Sequence, residues 1–195
     1  MGTVSEALRY VFQSLLGLLL LAVLLRLLLQ MVRADFYNPV SQLVVRVTDP
    51  LLRPLRRVIP PWRRLDSAGL ALALAIQCAA TLLVFTLAGF PPPNLLLLLA
   101  WAATGICAVL INIYFFAILA AIVLSWIAPQ SHHPAIALLY QLTEPVMAPV
   151  RRLLPPLGGL DLSPILVFLA INVLEILLHG IANAIRLPAG AVIGF

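Results

Sequence analysis

The chain alternates long apolar runs with short stretches rich in proline and arginine. Four runs are long enough to cross a bilayer, which takes about 20 residues: about 4–32, 68–90, 95–128 and 164–185. Every backbone N–H and C=O must be satisfied inside the segment in hydrocarbon, so these runs are predicted to be helices. The first and third exceed what a bilayer needs and are expected to tilt or project into the headgroups. The segment LLGLLLLAVLLRLLLQ has no small-x-small cleavage site after it, so it reads as a retained first span rather than a signal peptide.

Between the spans the pattern changes. Val40, Leu43, Val44, Val47 and Leu51 recur at helical spacing, with Ser41, Gln42, Arg46 and Asp49 opposite. The same register returns at Ala135, Leu138, Leu139, Leu142 and Val146, where Tyr140 and Gln141 are the main polar positions. An apolar stripe backed by polar residues predicts a short amphipathic helix lying in the membrane interface. The interfacial segments are placed at 38–61 and 133–156, opened by Pro39 and Pro134, where a missing N–H costs nothing.

The chain is written twice. TDPLLRPLRRVIPP, from Thr48, aligns at an offset of 95 with TEPVMAPVRRLLPP, from Thr143. The identities are Thr48/Thr143, Pro50/Pro145, Pro54/Pro149, Arg56/Arg151, Arg57/Arg152 and the closing Pro-Pro. Asp49 falls on Glu144, Asp66 on Asp161 and Gln77 on Asn172. Each copy reads span, surface segment, span. The predicted fold is therefore an all-α membrane protein with four transmembrane helices in two parallel repeats, 1–94 and 95–195, related by a pseudo-twofold axis along the membrane normal. Thr48-Asp49-Pro50 and Thr143-Glu144-Pro145 read as a helix end followed by a new start. Pro54 and Pro149 then argue against a long regular helix. Asp66 and Asp161 stand just before spans and read as N-caps, Ser163 and Pro164 completing the second.

Two copies of Arg-Arg-x-x-Pro preceded by Thr-Asp/Glu-Pro, with GGLDLSP (158–164) after the second, resemble the YggT/YlmG family, small integral membrane proteins of bacteria with relatives in chloroplasts. The first copy departs from the Asp-x-Ser-Pro ending, reading LDSAG instead. The resemblance covers nearly the whole chain. It implies roles in osmotic tolerance and cation uptake, cytochrome maturation, or cell division and nucleoid organisation, and it implies no catalytic residue.

Composition agrees with a membrane setting: 63% hydrophobic residues, 10% charged and a mean hydropathy of +1.11. There is no lysine. Arg33, Arg46, Arg53, Arg56, Arg57, Arg63 and Arg64 lie between spans one and two, Arg151 and Arg152 between three and four, and GFPPPN between two and three is uncharged. The positive-inside rule then puts both arginine-bearing loops in the cytoplasm and both termini in the periplasm of a bacterial inner membrane. The net charge of +5 belongs to the membrane surface, and nucleic-acid binding is not expected.

No nucleophile–base pair, phosphate loop or metal spacing is present, so no enzyme, metal or cofactor is expected. His132 and His133 read as a solvated pair, and Cys78 and Cys107 as buried structural thiols. The intramembrane polar residues are Arg26, Gln77, Asn112, Asn172, Glu175 and His179. Glu175 lies about 12 residues into span four, roughly 18 Å deep, and Arg26 is its expected partner. Asn172, Glu175 and His179 share one helix face, which Gln77 and Asn112 could join. Neither Arg26 nor Glu175 has a charged counterpart at the offset, where Ala121 and Ala80 stand. The duplicated feature is the surface phrase. The expected function is therefore that of a non-enzymatic accessory or scaffold protein. Its Arg56, Arg57, Arg151 and Arg152 would bind anionic lipid or a cytoplasmic-side partner, either another membrane protein or a second copy of the chain. The alternative is a small ion or proton transport protein, or one of cation homeostasis, working through the polar face around Glu175.

Overall fold

The computed structural model describes residues 3–60, 66–128, 131, 133–153 and 161–195. Arg63, Arg64, His132 and the second copy's closing Pro155-Pro156 lie outside the described residues. Six helices form, with no strand among the described residues: α1 (Thr3–Met31), α2 (Pro39–Val58), α3 (Ser67–Ala88), α4 (Leu95–Ile127), α5 (Pro134–Leu153) and α6 (Ser163–Ala184). The helices α1, α3, α4 and α6 are long and apolar enough to cross a membrane. Their ends follow local chemistry. Gly89 at φ 72° closes α3, and the Asn94 carboxamide caps α4 by accepting from Leu97 N–H at 2.8 Å. Asn38 caps α2 by accepting from Val40 N–H and also donates to the Pro134 carbonyl at 2.6 Å, tying the two interfacial helices together.

The packing repeats with the sequence. Helix α1 packs on α2 and α3, as α4 packs on α5 and α6, while α3·α4, α1·α4 and α2·α5 form the seam between copies. The core joins Leu20, Leu24 and Leu28 of α1 to Ala73 and Ile76 of α3 and Ile106 and Ile113 of α4. Lipid tails are as apolar as leucine, so burial alone does not drive spans together; close approach does. Ala68, Ala73, Ala80 and Ala102 are fully buried and provide that approach.

The interfacial helices differ from expectation in one respect. Both α2 and α5 run unbroken through their internal prolines, Pro50 and Pro54 or Pro145 and Pro149, instead of stopping at Thr48 and Thr143. Each proline removes one N–H from the helix ladder. Two residues before the first proline a threonine adds a side-chain bond one turn back: Thr48 Oγ1 donates to the Val44 carbonyl at 2.7 Å, and Thr143 Oγ1 to the Leu139 carbonyl at 3.0 Å. Thr48 and Thr143 are buried under their helices, so tertiary contact holds the chain helical. In α2 the protein-facing side is Ser41, Thr48 and Leu52, which leaves Val40, Leu43, Val47 and Leu51 exposed for lipid. In α5 the corresponding stripe is partly claimed by the bundle, with Leu138 packing near Leu29 and Ala34 and Leu142 joining the main core.

After α6 the chain turns back. Arg186 takes a positive φ of 53°, and residues 190–195 insert beside α1, α3 and α4, with Ala191 and Val192 buried. The Ile193 carbonyl accepts from Gln77 Nε2 at 3.1 Å, the Gly190 carbonyl from Gln13 Nε2 at 3.0 Å, and the Ile185 carbonyl from Trp101 Nε1 at 3.0 Å. Gln77 stands mid-way along α3, about 15 Å from either end. Non-helical chain is tolerated at that depth only because protein surrounds it. Gly105 makes the room, since a Cβ there would collide with the Gln77 amide and lie 3.1 Å from the Ile193 carbonyl. The Gln77 Oε1 is buried without a partner, which costs about 1–3 kcal/mol. Gly105→Ala is expected to destabilise the detergent-solubilised protein by about 1–3 kcal/mol and to expose the C-terminal residues to protease. Gln77→Ala should recover part of that loss, and strict additivity in thermal melts would show that the two residues do not compete for space.

Candidate functional site

The duplicated phrase becomes a set of ion pairs where α2 and α5 cross the ends of the spans. Arg26 sits about five residues before the end of α1 and is buried. Its Nη1 lies 2.7 Å from Asp49 Oδ1, 2.7 Å from Thr48 Oγ1 and 3.4 Å from the Val45 carbonyl. The expected Arg26–Glu175 pair does not form. Arg26 lies on α1 and is used by α2, whereas α6 packs mainly on α4 and α5 among the described residues. Asp49 also takes Arg53 at 2.8 Å, one helical turn on, but Arg53 is 78% exposed and contributes little. Desolvation pushes the Asp49 carboxyl upward; the hydrogen bonds and charges of Arg26, then Arg53, outweigh it and hold the group below the usual carboxylate range. Asp49 therefore serves as Arg26's counter-ion, not as a helix cap.

The adjacent arginines divide their work. Successive residues on a helix point about 100° apart, so one of each pair meets carboxylates, Arg56 half-buried and Arg151 still exposed. Arg56 reaches Asp66, whose carboxylate also caps α3 by accepting from Gly69 N–H at 3.2 Å. Arg151 bridges Glu144 at 2.8 Å and Asp161 at 3.1 Å, and Asp161 accepts from Ser163 N–H at 2.9 Å at the start of α6. Asp66 thus caps α3 and also anchors α2 to it, whereas Asp161, expected as a cap, stands one residue before the Leu162 cap of α6 and anchors α5 through Arg151. Desolvation raises the Asp161 carboxyl, while the Ser163 donors and Arg151 together hold it below its ordinary value. Desolvation lowers Arg151, and its two carboxylates raise it above the ordinary arginine range. The outward members, Arg57 and Arg152, are exposed and have no ionic partner among the described residues.

The intramembrane polar residues do not converge. Gln77 is sealed against the C-terminal segment. Asn112 lines an apolar groove with Leu21, Leu25 and Phe116 between α1, α4 and α5. Asn172 is exposed and donates to its own helix at the Phe168 carbonyl, 2.8 Å away. Glu175 is half-buried, and His179 Nδ1 meets the Glu175 carbonyl at 2.8 Å, with its ring beside Phe195. Cys107 is exposed on the bundle surface and Cys78 only half-buried, contrary to the buried thiols expected. Among the described residues no three His, Cys, Asp or Glu side chains gather as a metal site would require. His133 is exposed, and its Nδ1 accepts from Ala135 N–H as α5 begins.

The CCB3/YggT family model matches residues 5–87 and 100–182, one match over each copy. The chain belongs to the CCB3/YggT family. An uncharacterised Pseudomonas aeruginosa protein is 46% identical over 169 residues, 86% of each chain. YggT of Escherichia coli K12, also uncharacterised, is 35% identical over 184 residues, covering 93% of this chain and 92% of its own. A shorter match reaches the chloroplastic YlmG homolog protein 2 of Arabidopsis thaliana, 42% identical over 62 residues, 32% of this chain and 24% of that one. No solved structure matches. The clamps described above are read from this chain's own geometry.

Breaking one side of a largely buried ion pair costs about 3 kcal/mol or more. Arg26→Gln is expected to destabilise by about that amount, and Arg26→Gln with Asp49→Asn to recover part of it, whereas Glu175→Gln should add independently to Arg26→Gln. Because the folded Asp49 group is depressed, its contribution is present above the unfolded value, about 3.9, and lost as pH falls through the lower folded value. Melting temperature should therefore fall below about pH 4, and Asp49→Asn should flatten that limb. An unchanged acid limb in Asp49→Asn would remove Asp49 from the account.

Proposed function

We propose that the protein is a non-enzymatic accessory or scaffold protein of the bacterial cytoplasmic membrane, one that presents two outward arginines, Arg57 and Arg152, to anionic lipid headgroups or to an acidic partner. The observation that carries this reading is the division of labour in the repeated Arg-Arg phrase. Arg56 and Arg151 are neutralised by internal carboxylates, and the neighbouring Arg57 and Arg152 are left exposed at equivalent places on two joined helices. Arginine's planar fork suits phosphate oxygens. In this reading α2 and α5 lie on the cytoplasmic face, where anionic lipid is met, and both termini lie on the periplasmic side. Transport through a polar face around Glu175 has less support, because Asn172 and His179 are exposed and bond to their own helix, and Glu175, half-buried, has no ion-pair partner among the described residues.

Each basic residue near an anionic leaflet contributes about 1 kcal/mol, or roughly fivefold in affinity. Arg57→Gln with Arg152→Gln should lower retention of phosphatidylglycerol by about 25-fold with little change in melting temperature. Arg56→Gln with Arg151→Gln should do the reverse. Phosphatidylglycerol retention that is unchanged in the Arg57/Arg152 variant would sink the reading. Orientation has its own check. In a background without Cys78 and Cys107, Tyr37→Cys, a 90% exposed position, should react with impermeant maleimide in inverted vesicles and not in intact cells. Labelling in cells would reverse the topology.

A further inference from the structure

The 95-residue offset maps the surroundings of Arg26 onto the second copy, where Ala121 stands in its place. In the first copy the guanidinium is 6% exposed and gives its donors to the Val45 carbonyl, Thr48 Oγ1 and Asp49. The second copy keeps acceptors at every matching position: the Tyr140 backbone, Thr143 Oγ1 and Glu144. Thr143 is as deeply set as Thr48, at 3% exposure, and spends its own proton on the helix in the same way, which leaves its lone pairs to accept. Beside Tyr140 and Thr143 lies a cavity of about 380 Å³, lined also by Ala121, Arg151 and Asp161, with Glu144 reaching it only through its ion pair to Arg151. A water's share of liquid volume is about 30 Å³, so the space exceeds a missing solvent molecule by far.

Charge is short in the same place. The first copy sets Arg26, Arg53 and Arg56 against Asp49 and Asp66, three cations to two anions. The second sets Arg151 alone against Glu144 and Asp161, one to two, because Ala148 replaces Arg53 and Ala121 replaces Arg26. Asp66 is 2% exposed, whereas Asp161, its counterpart beside the cavity, is 43% exposed.

We propose that the cavity between α4, α5 and α6 binds a cationic group carrying N–H donors, a primary ammonium or guanidinium on an apolar stem, seated where Arg26 sits in the first copy. Its donors would meet Thr143 Oγ1, the Tyr140 carbonyl and the under-compensated carboxylate of Asp161. Its stem would lie along Ile118, Ile122 and Met147, which also line the cavity. The exposed Trp126 and the Tyr140 ring add faces that attract a cation. Two sources carry this chemistry, the amine headgroup of a lipid and a soluble alkyl cation. The proposal is independent of the Arg57/Arg152 surface.

The test uses the full chain purified in detergent, with phosphatidylethanolamine, phosphatidylcholine and n-butylguanidinium as probes. Ala121→Arg supplies the missing guanidinium from within. Thr143→Val removes the central acceptor with little change of shape, and it carries the same readouts should Ala121→Arg fail to insert. A hydrogen bond to a charged group is worth about a factor of ten or more. If the occupant is a lipid headgroup, native mass spectrometry should show wild type retaining phosphatidylethanolamine about tenfold better than phosphatidylcholine, whose quaternary amine has no N–H, and either substitution should abolish the preference. If the occupant is soluble, n-butylguanidinium should raise the melting temperature of wild type and not of the variants. A wild type that neither prefers phosphatidylethanolamine nor responds to n-butylguanidinium overturns the proposal, as do responses that survive both substitutions.

Discussion

An arginine near the end of a membrane span must be given an anion, and the way this chain does so organises its surface. Arg26 leaves α1 too far from the helix end to be freely hydrated, and Asp49 of α2 is brought to it together with Thr48. That requirement lays α2 across α1. It also keeps α2 helical through Pro50 and Pro54, because the turn bearing Thr48 is held against the span instead of fraying into water. The Arg56–Asp66 contact then fixes the far end of α2 to the start of α3. Anchored at both points, α2 leaves its apolar stripe and its outward charges exposed.

The second copy keeps this scheme with fewer charges. Arg151 does with two carboxylates what Arg56 does with one, and Glu144 lacks the span-borne arginine that Asp49 has. Part of the loss is made good by packing: Leu138 and Leu142 of α5 are buried against the bundle, whereas the matching Leu43 and Val47 of α2 are not. Apolar contact has replaced ionic contact in holding down the second interfacial helix, and polar capacity remains in the space between α4, α5 and α6.

At the other end of the bundle the constraint is the backbone's own polarity. A non-helical segment inserted to mid-depth needs every carbonyl answered or shielded. Trp101, Gln13 and Gln77 answer three of them, and Gly105 lets the segment come close enough for Gln77 to reach. Lipid supplies no hydrophobic drive between helices, so these few hydrogen bonds and the small-residue contacts are what knit the first copy to the end of the chain.

The four spans, their boundaries to within a few residues and the two copies were legible in the sequence, because lipid permits only helices and a 20-residue apolar run is a local property. The membership of the family, the two surface helices and the capping role of Asp66 were legible for the same reason: repeat, amphipathic stripe and cap are all written within a few turns of chain, though Asp161 stands one residue before the cap of α6. Partner choice was not. Depth along a span suggested that Arg26 and Glu175 could meet, but depth says nothing about which helix stands beside which, and the packing puts α6 against α4 and α5 while α2 takes Arg26. The prolines likewise argued locally for a break that tertiary contact at Thr48 and Thr143 overrides. No periodicity marked Ala191 and Val192 as buried, since the place of their segment is decided by a glycine and a glutamine some ninety to a hundred and twenty positions away. Local rules fixed what each segment is; only the assembled helices decided which charges and carbonyls meet, because those encounters depend on distances in space that sequence separation does not measure.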